Sequence, residues 1–127
     1  MGPDEFARKL TVLFPEKETA LSAHHTEYGD LLSHVFFSEQ IKGPLVRLLW
    51  ANTDVPTIKR YCAFIEEMWK LGDAETVNIV DVTILEELSD DSTAWRNLRE
   101  YITPEFVDYI NSDLLSNNML MRSVPPL

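Results

Sequence analysis

The sequence predicts an all-α fold: a single-domain, irregular array of six or seven helices around a central antiparallel helical hairpin. Three observations predict it. Apolar residues recur at helical spacing, most clearly at Ile58, Tyr61, Cys62, Ile65, Met68 and Trp69. Asp, Thr, Gly and Pro punctuate the chain into helix-length pieces. Only residues 77–84 alternate like a strand, and they have no second strand to pair with.

The elements follow in order. Asp4 is placed to cap a first helix carrying Phe6, Leu10, Leu13 and Phe14. Pro15 breaks that helix and suits the start of a second, running to about Tyr28. This second helix has Ala20, Leu21, His24 and Tyr28 on one face and Gly29 at its end. "DLLSHVFFSEQI" reads as a loop and a helical turn closed by Gly43-Pro44, and "PLVRLLWAN" as a short helix opened by Pro44. Asp54 caps a strong helix over 55–71, with Lys59, Arg60, Glu66, Glu67 and Lys70 facing away from its apolar stripe. Gly72 as a C′ glycine and Asp73 as an N-cap hand over to the next helix in two residues.

With Asp73 as cap, Val77, Val80, Ile84 and Leu88 fall on one helical face, so 73–89 is a helix and the second arm of the hairpin. Ile79, Val82 and Leu85 spread around the remaining arc, which makes it central. Ser92 is the expected cap of a helix bearing Trp95, Leu98, Tyr101 and Ile102. Thr103-Pro104-Glu105 then opens a short helix through Ile110. Residues 1–5 and 116–127 are expected to be irregular. Gly2-Pro3 and Glu5-Phe6 are pairs common at cloning junctions, which leaves the native status of residues 1–6 open.

A chain of 127 residues, 45% hydrophobic and 25% charged, has the composition of one folded domain. No apolar run reaches the ~20 residues of a membrane span. The opening "MGPDEFARKL" carries acids where a secretory leader carries bases, so the expected compartment is cytoplasmic. Cys62, the one cysteine, sits in an apolar helical pattern and reads as a buried small hydrophobe. The net charge of −10 repels nucleic acid and anionic lipid and attracts basic proteins.

No catalytic or cofactor signature is present. His24, His25, Glu27 and His34 are the conceivable metal set, but adjacent helical histidines diverge by about 100° and no HExxH or Cys pair supports them. There is no GxSxG and no glycine-rich phosphate loop. The distribution of acid is more informative. Between Glu66 and Asp91 lie nine acids (Glu66, Glu67, Asp73, Glu75, Asp81, Glu86, Glu87, Asp90 and Asp91) against one base, Lys70. A solvated face accounts for such a run equally well. Two details favour binding: Glu86, Glu87, Asp90 and Asp91 crowd a helix C-terminus, where the macrodipole disfavours them. Asp81 falls among apolar residues on the wheel, either tied to a neighbouring helix terminus or exposed in a groove. Glu86, Glu87, Asp90 and Asp91 are therefore the first candidates for partner contact, with Glu66, Glu67, Asp73 and Glu75 next. Tyr28 and Trp95 are candidate aromatic anchors, although a core position suits both.

"YGDLLSHVFFSEQI", "FIEEMWKLGDAETVNIVDVTILEELSDD" and "YINSDLL" together resemble a family of small acidic bacterial proteins, mostly of unknown function. Some members stand beside polymorphic toxins as their immunity proteins. The resemblance spans about residues 10 to 115. It implies a helical, cytosolic, non-enzymatic protein that binds and neutralises a cognate toxin, and it carries over no contact residues. A basic nuclease-type toxin domain would agree with the acidic charge. The rivals are a helical scaffold or adaptor for another basic protein, and an enzyme whose site has no sequence signature.

Overall fold

The computed structural model describes residues 1–116 and 124–127. Among them the chain forms seven helices and no strand, a single all-α domain. Helix α1 (Pro3–Leu13) passes through a 3₁₀ turn at Pro15–Lys17 into α2 (Glu18–Tyr28). Helix α3 spans 33–51, α4 is Val55–Leu71, and α5 spans 74–88. Helix α6 (Ser92–Leu98) continues as a 3₁₀ turn, Arg99–Tyr101, and α7 spans 104–115.

The ambiguous stretch is a helix, and its β-branched run has a structural counterpart. Residues Ile79–Leu85 are π-helical: Glu86 N–H reaches back five residues to Asp81 O. The wider turn lets Ile79, Val80, Thr83, Ile84 and Leu85 all be buried, more than a 3.6-residue period would place inside. Helix α5 is central, as expected. Val82 differs from expectation, standing 41% exposed on the outer side.

Two further π segments shape α3 and α7. The expected break at Gly43-Pro44 does not occur. Ser33–Phe37 runs through a π segment, Ser38–Lys42, directly into Gly43–Ala51. Pro44 lacks an N–H and crowds the carbonyl four residues back, and the widened turn just ahead of it, where Gly43 N–H bonds Ser38 O, absorbs that conflict. At the other end, Tyr109–Leu115 extends α7 well beyond Ile110.

The caps at Asp54, Asp73 and Thr103 form as read, accepting from the amides of Thr57, Thr76 and Phe106. Two others move. Gly2, without a side-chain cap, precedes α1, which starts at Pro3 rather than at a cap on Asp4. Asp91, not Ser92, caps α6, accepting Ala94 N–H at 2.9 Å. Gly72 is extended, with φ −75°, so it is no left-handed terminator. A Cβ there would lie 2.3 Å from Met68 O and 2.5 Å from Thr76 Cγ2, so a close approach requires the glycine. Residues 1–5 are ordered into the fold: Pro3 is buried, Phe6 is fully buried, and Met1 O accepts Asp73 N–H at 2.8 Å.

The core joins Phe6 and Leu10 of α1, and Phe14 just past its end, to Ile58, Cys62, Ile65 and Met68 of α4 and to the inner face of α5. Cys62 is fully buried, and desolvation pushes its thiol up to about 12. Asn97 Nδ2 donates to Leu49 O at 2.9 Å, tying α6 to the end of α3. Most of the apolar tail "MLMRSVPPL" lies outside the described residues. Of the remainder, Leu127 is buried, its amide donating to Asn111 Oδ1 at 2.8 Å.

Candidate functional site

The carboxylates between Glu66 and Asp91 do not form one free face. Glu66 is only 8% exposed and is a buried acceptor rather than the expected surface contact. It takes the Thr103 amide at 3.2 Å and the Thr103 hydroxyl at 2.5 Å. The start of α7 presents orphan donors and Glu66 answers them, which is why an acid can sit on the inner side of α4. Asp73 and Asp91 are engaged as helix caps, at 2.9 Å each. The Thr76 amide beside Asp73 holds its carboxyl below the usual range. Glu67 pairs with Lys9 at 2.6 Å. Glu87 accepts from Ser38 Oγ at 3.1 Å and meets Lys42 at 3.4 Å. Glu86 is half-buried, with Oε2 shielded and lacking a hydrogen-bond partner among the described residues. That leaves Glu75 and Asp90 exposed, with no cation against them among the described residues.

Asp81 is held by a neighbouring side chain rather than by a helix terminus. Tyr109 Oη donates to its two oxygens at 2.7 and 2.8 Å, joining the π segments of α5 and α7. Burial raises the Asp81 carboxyl above its usual range, and the Tyr109 bond opposes that rise. The folded chain therefore holds the Asp81 proton more tightly than the unfolded chain does. This contribution to stability is full below the ordinary carboxylate value of about 3.9 and falls as pH rises through the raised one. Asp81→Asn is accordingly expected to match or exceed the parent in a urea melt at pH 7 and to lose that advantage near pH 4. Tyr109→Phe should cost about 1–2 kcal/mol at pH 7 by leaving a half-buried carboxylate without its donor. Equal losses from Tyr109→Phe in the parent and in an Asp81→Ala background, which has no acceptor, would refute the pairing.

The three histidines each have protein partners. His24 is buried and its Nε2 accepts Leu32 N–H at 2.9 Å, so its proton resides on Nδ1. His25 Nδ1 lies 3.1 Å from Gly29 O, where the chain turns with φ +80°. His34 is exposed, and its Nδ1 pairs with Thr83 Oγ1 across the α3–α5 seam.

The corner between α2 and α3 is where charge remains uncompensated. From Glu18 to Ile41 there is no lysine or arginine. Glu27, Asp30 and Glu39 are exposed there without an ion pair among the described residues. Tyr28, at 44% exposure, stands out of the core, and Leu32 and Val35 are exposed beside it. Trp95, by contrast, is buried, its indole donating to Pro125 O at 3.1 Å.

A cleft of about 220 Å³ opens at this corner, lined by Glu27, Tyr28, Glu39, Gln40, His24 and Phe36. The Tyr28 hydroxyl is raised above its ordinary value, first by Glu27 and also by Glu39, so carboxylates bear on it from both helices. A larger groove of about 510 Å³ lies along α6, walled by Trp95, Arg96, Arg99 and residues 124–127. Its charged lining is basic, and the terminal residues of the chain themselves form one wall. Glu39 was not among the candidates from the sequence, and Glu27 stood there only in the conceivable metal set. The signal was there in the long interval without a base, but Tyr28 was expected inside.

No helix among the described residues is long and apolar enough to cross a membrane. No curated protein and no solved structure matches the chain. A family description does match, covering residues 7–116, and by it the chain belongs to DUF7674, a domain family of unknown function.

Proposed function

We propose that the protein is a non-catalytic, cytoplasmic inhibitor of the immunity type, binding a basic toxin domain through its acidic surface. The observation that carries this reading is the uncompensated α2–α3 corner, where the exposed acids Glu27, Asp30 and Glu39 accompany the exposed Tyr28, Leu32 and Val35. Charge of one sign around a few exposed apolar groups is the composition of an interface that steers a partner electrostatically and anchors it at its centre. Glu75 and Asp90 add to the long-range field from α5 and the turn after it. Net charge of −10 makes the same field unfavourable to nucleic acid and anionic lipid.

The test is stopped-flow association of the full chain with the product of the adjacent gene, across a salt series. The expected rate exceeds the ~10⁵–10⁶ M⁻¹s⁻¹ of an unsteered pair and falls as salt shortens the screening length toward about 8 Å. Glu86→Lys with Asp90→Lys should slow association, whereas Glu27→Lys with Glu39→Lys should speed dissociation as well. A complex that forms at one rate in low and high salt, or no complex at all, overturns the proposal.

A further inference from the structure

We propose that the cleft between α2 and α3 seats one arginine side chain of the basic partner, an inference that rests on the partner-binding reading above and gives it an anchor point. At about 220 Å³ the cleft is smaller than the ~300–1,000 Å³ of small-molecule sites, so it suits a single side chain rather than a cofactor. Its chemistry is that of a cation seat. Glu27 from the last turn of α2 and Glu39 from α3 supply two carboxylates, and Tyr28 supplies an exposed aromatic ring to the same lining.

The seat is pre-built. Phe36 and His24 form a buried floor, with the His24 ring 4.7 Å from Tyr28 and 5.5 Å from Phe36. The Leu32 amide fixes that ring through Nε2. Binding would therefore order little beyond Glu27 and Glu39 themselves, which keeps its entropic cost low. Lys17, bonded to Gln40 of the lining, does not itself line the cleft. Its Nζ is held on Gln40 Oε1 at 3.3 Å, over the rings of Phe14 and Tyr61 at 5.6 and 5.5 Å. A planar guanidinium can stack on Tyr28 while its fork engages carboxylates, which a compact, strongly hydrated ammonium does less well. A divalent metal is disfavoured: His24, Glu27 and Glu39 form no three-ligand group among the described residues.

The experiment titrates the ¹⁵N-labelled full chain with the blocked tripeptide Gly-Arg-Gly, and with its lysine and citrulline counterparts. Saturable shifts are expected at Glu27, Tyr28, Glu39 and Gln40 with the arginine peptide, weaker ones with lysine, and none with neutral citrulline. Glu27→Gln with Glu39→Gln, both exposed positions, should weaken arginine-peptide binding about tenfold or more, as the loss of a charge-assisted contact does. Glu75→Gln on α5 should leave it unchanged. Absence of shifts at the cleft, or equal shifts with citrulline, overturns the proposal. Failure of the immunity reading shows differently: the arginine peptide still occupies the cleft, while the product of the adjacent gene does not bind the parent chain.

Discussion

Replacing Ile84 by alanine is expected to destabilise the fold by about 2–5 kcal/mol, the range for emptying a sealed core position. Ile84 is fully buried and lies in the π segment at the middle of α5, between the faces that α3 and α4 present. The structure around it cannot readily collapse into the cavity, because α5 is tied to α3 by specific bonds. Thr83 is pinned to His34, and Glu87 to Ser38. The matched control is Val82→Ala, one of the exposed positions on the same helix, where the change should stay within about 0.5 kcal/mol. A urea melt reads both. Equal effects at the two positions would mean that α5 has no inner and outer side, and the central placement of this helix would fail with it.

What was legible in the sequence was what is decided within three or four residues. Asp54, Asp73 and Thr103 each reach an amide three positions ahead, so the cap and its partner sit in one short window. The apolar stripe of α4 was readable for the same reason: five of its six residues are buried, with Trp69 half-exposed beside Phe106 and Tyr109. The misreadings lie where a distant element decides. Gly43-Pro44 carries every local mark of a break, yet α3 runs through it. Burying Phe36, Phe37, Ile41 and Leu45 as one unit holds the rod together, and a π turn removes the backbone conflict.

The candidate site was legible in charge but not in geometry. An acid run in sequence says nothing of which helix ends will meet it. Asp73 and Asp91 cap their own helices, and Glu66 meets the start of α7, 37 residues away. Once those acids are bonded, the remaining free carboxylates concentrate on another part of the chain. Tyr28 shows the same limit. Its helical phase matches His24, but the left-handed turn at Gly29 ends α2 there, and the ring extends past the core edge into solvent.

Thr103→Val is expected to cost about 2–4 kcal/mol, from two losses at one atom. Thr103 Oγ1 accepts the Phe106 amide at 3.3 Å and donates to Glu66. Losing the cap contributes about 1 kcal/mol, and removing a donor from a buried carboxylate contributes about 1–3 kcal/mol more. Valine preserves the shape, so the loss isolates the hydroxyl. The decisive measurement is the double-mutant cycle with Glu66→Leu. With the carboxylate gone, Thr103→Val should lose only the cap, and the two changes together should fall short of their sum by about 1 kcal/mol or more. Additive losses would mean that Glu66, on losing Thr103, turns into the shallow open hollow it shares with Ala63, Lys70 and Leu71 and is rehydrated there. In that case the start of α7 is held by its own cap and by Phe106 in the core, and Glu66 returns to the pool of surface acids.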